Sequence, residues 1–113
     1  DEGVVDAYLA EPYCNFQTTA GMNHAMMTGL QYLGKRSNLV KMDRDTPIYF
    51  FAGDSDPVGA MGAGVKKVAG WFRDVGVKDV EMRLYPGGRH EMLNEINREE
   101  VFADTLAWLE EHL

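Results

Sequence analysis

The chain is poor in the residues most often used as nucleophiles: it has one cysteine, Cys14, and two serines, Ser37 and Ser55. A single cysteine excludes an internal disulfide, so folding does not depend on an oxidising compartment. Cys14 follows Pro12 and Tyr13 in loop-like sequence and is expected to be a small buried thiol rather than a nucleophile. Basic residues are also scarce, 11 Lys and Arg against 18 Asp and Glu, for a net charge of −7. Phosphate binding needs a basic stripe, so nucleic acid is not an expected partner, and neither is a polybasic membrane contact. No apolar run approaches the roughly 18–20 residues of a membrane span. The start, Asp1-Glu2-Gly3, lacks the basic opening and apolar centre of a secretory signal, which makes a cytoplasmic location the expectation. An initiator methionine is missing too, as expected if the chain begins inside a longer gene product.

What is present suits a single globular unit: 113 residues, 45% of them hydrophobic. Apolar residues at helical spacing predict helices over 3–10 and 21–33, the first stopped by Pro12. In the second, Met22, Met26, Met27, Leu30 and Leu33 form a stripe that reads as core packing or as the border of an acyl-binding pocket. A helical turn is expected over 38–42. After Thr46-Pro47, the continuous apolar run 48–52 has the look of a strand buried on both faces. A Gly- and Asp-rich loop leads to a helix over 64–75, with Val65, Val68, Ala69 and Phe72 inward and Gly76 ending it. A second strand is predicted over 80–85, then a Pro86-Gly87-Gly88 turn. The last helix is predicted over 98–112, with Asn97 and Glu100 as a capping box and Val101, Leu106, Trp108 and Leu109 turned to the sheet. The acidic residues of 81–111 read as a solvated helix face. The order from residue 47 is strand, helix, strand, helix: a βαβα unit with parallel strands and a right-handed crossover.

In open parallel sheets, ligands meet the loops at the carboxyl ends of the strands. Two such loops exist, Gly53-Asp54-Ser55-Asp56-Pro57-Val58-Gly59 and Pro86-Gly87-Gly88-Arg89-His90-Glu91. Neighbouring parallel strands bring both to one edge, where an acid from the first reaches a histidine from the second. Such a pair serves hydroxyl nucleophiles. A neutral imidazole takes the hydroxyl proton, and a carboxylate on its other nitrogen orients it.

These two segments, with Leu84-Tyr85 before the second and residues 101–109 after it, resemble the end of α/β-hydrolases of the monoacylglycerol lipase and lysophospholipase branch. In that pattern a Gly-x-x-Asp loop carries the triad acid and a Tyr-x-Gly-x-x-His segment carries the base. The resemblance places Asp56 on the acid and His90 on the base, with Asp54 as a competitor whose other role is to bond loop backbone. It implies two parts: residues 1–45, the end of a cap and the helix leading into the sheet, and residues 46–113, the C-terminal βαβα portion of the core. It also implies hydrolysis of esters, of lipid or acylglycerol type.

The departure concerns the nucleophile. The family's Gly-x-Ser-x-Gly elbow is absent, Ser37 reads as a turn or cap residue, and Ser55 lies in the acid loop itself. The chain alone is therefore expected to be inactive, and to pair with a missing N-terminal part or a partner chain covering the sheet edge. Two alternatives stay open: a relative with an Asp nucleophile, such as a dehalogenase or epoxide hydrolase, and a non-catalytic remnant serving in assembly. His24 and Glu91 are expected to be structural, and His112 to suit the end of its helix. Phosphate-loop, dinucleotide, calcium-loop and zinc-protease readings of 54–66 and 90–94 each fail at a defining residue. No cofactor or metal is expected.

Overall fold

The aromatic run of the first strand organises the molecule. In a computed structural model, which describes residues 2–14 and 16–113, the elements are α1 (Glu2–Ala10), α2 (Ala20–Leu33), α3 (Arg36–Leu39), β1 (Ile48–Gly53), α4 (Ala63–Asp74), β2 (Val80–Tyr85), a 3-10 turn (Met92–Asn94) and α5 (Arg98–Glu111). β1 and β2 pair in parallel, from Ile48 opposite Val80 to Gly53 opposite Tyr85. Side chains alternate across a strand, so Phe50 meets Phe72 of α4 with centroids 5.6 Å apart. On the opposite face Tyr49 stacks on Trp108 of α5 at 5.5 Å. Each face of the sheet thus meets one helix, but Ile48 to Ala52 stay half-buried, short of the burial on both faces that a strand without polar alternation predicts.

The core is small: Ala69, Val75, Val77, Tyr85, Met92 and Val101 are buried. α4 ends as predicted. Gly76 takes φ +91°, its N–H bonds Arg73 O, and Val77 N–H bonds Phe72 O; this double closure favours glycine, and Val77 beyond it is buried. The Tyr85 hydroxyl donates to Asp104 at 2.7 Å, and Asp104 also pairs with Arg83 at 2.9 Å. Burial, first, pushes the Tyr85 phenol well above its usual range.

Several expectations fail, and for one main reason. The α2 stripe is not core: Met22, Met26, Met27, Leu30 and Leu33 are about half exposed or more. Leu106 and Leu109 of α5 are exposed as well, and so is Cys14. The described residues supply two strands and nothing to lie over these faces. Total accessible surface is 8161 Å², whereas a folded monomer of this mass shows roughly 6,200 Å². The Cα radius of gyration, 16.3 Å, likewise exceeds the roughly 13 Å of a closed domain of this length. The capping box also does not form. Asn97 occupies the cap position without a side-chain cap bond, and its amide instead reaches Glu100 at 3.4 Å. At α2 the cap is Thr19, whose hydroxyl accepts from Met22 N–H at 3.1 Å, so the helix starts one residue earlier than predicted. None of the helices among the described residues is long and apolar enough to cross a membrane.

His112 pins the end of α5 to the start of β2. Its Nδ1 faces Trp108 O at 2.6 Å, its Nε2 faces Asp79 at 2.9 Å, and its ring stacks on Trp108 at 4.2 Å. The Trp108 carbonyl, then Asp79, raises its pKa above the ordinary value, with Glu111 adding to the field. A raised folded pKa means that this contribution is complete below the unfolded value near 6.5 and is lost as pH rises through the folded one. Melting temperature is expected to fall as pH rises above about 6.5, and His112→Gln to flatten that part of the profile. An unchanged slope in the variant would assign it to other groups.

Candidate active site

The two strand-end loops touch because glycines let them. A Cβ on Gly53 would lie 1.9 Å from Gly88 O, so only glycine at 53 allows the end of β1 to press against the loop after β2. Ser55 N–H then bonds Gly88 O at 3.0 Å, and Asp54 N–H bonds Tyr85 O at 3.1 Å. Gly87 makes the turn at φ +72°, a conformation glycine adopts without steric cost.

Asp56 and His90 meet across this junction, with Asp56 Oδ2 and His90 Nδ1 3.1 Å apart. Asp56 is buried, 4% exposed, while the His90 side chain is 64% exposed. The carboxylate is held from behind: Val58 N–H donates to Oδ1 at 2.9 Å and Gly59 N–H to Oδ2 at 3.1 Å. The hydrogen bond with His90, first, and these amides hold the Asp56 carboxyl below its usual range against the opposing pull of burial. In a neutral ring, an ionised acceptor beside Nδ1 favours the proton on Nδ1 and leaves the lone pair on Nε2. That is the tautomer in which an imidazole can accept a proton from a hydroxyl.

The loop beyond Asp56 carries strain. Ala60 and Met61 sit at φ 51° and 54°, the left-handed region, which costs a residue with a Cβ about 1–2 kcal/mol. Met61 is held there by its N–H bond to Asp56 O at 2.8 Å.

The remaining candidates fall elsewhere. Asp54 does bond backbone, accepting from Gly87 N–H at 2.8 Å, and also takes the Ser55 hydroxyl at 3.0 Å. Ser37 lies exposed in α3. Glu91 accepts from the Asn94 amide at 2.7 Å, and His24 is exposed on α2. Among the described residues, Asp79, Glu81 and His112 have ligand atoms within 4.8 Å of one another. Within this group His112 Nε2 faces Asp79 Oδ2 at 2.9 Å.

Sequence reasoning missed the cleft beside His90. It measures about 330 Å³, walled by Val4, Val5, Tyr8 and Leu9 of α1 and by His90 and Asn94 opposite. The apolar stripe of α1 was visible, but no local signal says that residues 4–9 come to lie against residues 89–95.

A family model described as serine aminopeptidase, S33, matches residues 1–97. The chain is 30% identical over 117 aligned residues to a monoacylglycerol lipase of Mycolicibacterium smegmatis, covering all of this chain and 38% of that protein. Its fold matches the crystal structure of a highly thermostable carboxyl esterase from Bacillus coagulans in complex with glycerol, with a TM-score of 0.89 and 30% identity over 98% of this chain and 36% of that one. The chain thus spans under two fifths of the length of these relatives. With its parallel strands, crossover helix and matching family model, it belongs to the serine aminopeptidase, S33, family of α/β-hydrolases.

Proposed function

We propose that this chain is the C-terminal part of a serine hydrolase acting on esters, of lipid or acylglycerol type, and that it supplies the triad acid, Asp56, and the base, His90. The observation that carries the reading is the 3.1 Å contact between a buried, amide-held carboxylate and an exposed imidazole at the ends of two adjacent parallel strands. The nucleophilic serine sits on a segment outside these residues, and that segment covers the apolar faces of α2 and α5 and the free edge of β1. The surface in excess of a folded monomer, about 2,000 Å², agrees with a cover of that size. The apolar wall of the cleft beside His90 suits an acyl chain or a glycerol backbone, and the named relatives are a monoacylglycerol lipase and a carboxyl esterase.

In the proposed reaction, His90 Nε2 takes the serine proton as the hydroxyl oxygen attacks the acyl carbon. Asp56 stabilises the imidazolium, which then passes the proton to the departing alcohol. Water repeats the cycle on the acyl-enzyme and frees the acid. Hydrolysis of an aryl ester and of a monoacylglycerol should be assayed with this chain and with the longer polypeptide that contains it. The longer polypeptide is expected to turn over and the chain alone to remain at the background rate. Turnover by the chain alone that Ser55→Ala or Ser37→Ala abolishes would place the nucleophile here and overturn the proposal.

A further inference from the structure

His90 is exposed, so packing does not fix its ring. What fixes it is its partner, Asp56, and the backbone on which it stands. That backbone is gripped by two further carboxylates. Asp54 Oδ1 accepts from Gly87 N–H at 2.8 Å, and Glu95 Oε1 accepts from Arg89 N–H at 2.9 Å. Between them Gly88 N–H bonds Tyr85 O at 3.2 Å, and Gly88 O accepts from Ser55 N–H at 3.0 Å. Each amide from 87 to 89 therefore has a partner, and two of the three partners are charged. Hydrogen bonds to a carboxylate are roughly twice as strong as neutral ones. Asp54 stands two residues before Asp56, so the loop that carries the acid also holds the loop that carries the base. Glu95 reaches back from the far side, one residue beyond the 3-10 turn.

We propose that Asp54 and Glu95 are positioning residues, a pair of carboxylate clamps on the backbone of residues 87–89 that keep the His90 imidazole in line with Asp56. This rests on the acid–base reading of Asp56 and His90. Neither clamp touches the ring; both act through the peptide that precedes it. Acid–base constellations need placement to within about 0.5 Å, and a ring open to solvent on a glycine-rich loop reaches that only if the loop itself is tied.

The test uses the complete hydrolase with Asp54→Ala, Glu95→Ala and the double variant, beside an Asp54→Asn/Glu95→Gln variant that keeps both side-chain carbonyl acceptors. Each alanine is expected to lower kcat by about 10-fold and the pair by about 100-fold, the scale of a small misplacement, with KM little changed. The Asn/Gln variant is expected to restore most of the loss. Amide hydrogen exchange at Gly87 and Arg89 is expected to speed up in the alanine variants alone, a readout independent of turnover. His90→Ala separates the two ideas. If it retains activity, the acid–base reading fails. If it abolishes activity while the double alanine variant matches the parent in kcat and in exchange, the clamp fails and the acid–base reading stands. A loss of kcat that tracks a fall in melting temperature and resists Asn/Gln rescue would reduce the two residues to structural ones and also overturn the proposal.

Discussion

His90→Ala in the complete hydrolase is expected to lower kcat for an ester by at least about 10⁴-fold, the scale seen when a triad member is removed. The reason lies in the tautomer. With Nδ1 committed to Asp56, Nε2 is the only site at which the ring can take a proton, and alanine offers none. Asp56→Asn is expected to cost about as much, near 10⁴-fold, by a different route. An amide can present its NH₂ to the ring and turn Nδ1 into an acceptor, which moves the ring proton to Nε2 and blocks it as a base. The two variants should differ in folding. The Asp56 carboxylate also accepts from Val58 and Gly59, so Asp56→Asn disturbs the loop, whereas removing the exposed His90 costs only its hydrogen bond to Asp56 and leaves those two amide bonds in place. Measuring kcat, KM and melting temperature for both variants separates these effects. A His90→Ala enzyme retaining more than about a tenth of parent kcat would be incompatible with a general base at this position.

The second large effect is expected at Gly53. In Gly53→Ala the new methyl would stand 1.9 Å from Gly88 O and 2.5 Å from Arg89 N, against backbone that cannot rotate away. Either the end of β1 or the His90 loop has to move. The hydrogen bonds from Ser55 to Gly88 and from Asp54 to Tyr85 would stretch together, and the Asp56–His90 contact with them. A destabilisation of about 3–5 kcal/mol is expected, in the upper range for single substitutions, together with loss of turnover. Denaturant unfolding and activity of the complete protein measure both. Gly87→Ala offers a comparison: no neighbour lies within 4 Å of its added Cβ, but φ is +72°, so the cost is conformational alone, about 1–2 kcal/mol.

The core of the fold was legible because a fully apolar strand, a polar-alternating strand and a glycine-ended helix are local patterns. β2 matches its predicted range, β1 differs by one residue, and Gly76 closes α4 as expected. The pairing of Asp56 with His90 was legible because parallel neighbours bring strand-end loops together by topology alone. The choice of Asp56 over Asp54 as the acid came from the resemblance; in the structure Asp56 faces the His90 ring and Asp54 accepts from Gly87 N–H. The α2 stripe and the outer residues of α5 were misplaced because hydrophobic periodicity shows which face wants a partner, not whether the chain contains that partner. Asn97 failed as a side-chain cap although its spacing to Glu100 was right, since spacing does not fix a rotamer. Glu95 and the apolar wall of α1 went unseen because each acts on backbone or space brought near by tertiary structure.

Labelling by a serine-directed phosphonate tests the central claim most directly, since the probe reacts only with a serine that a neighbouring base has activated. In the complete hydrolase, rapid labelling is expected for the parent and its near-complete loss in His90→Ala, with the variant still folded and melting cooperatively by circular dichroism. Undiminished labelling of a folded His90→Ala protein would contradict the account.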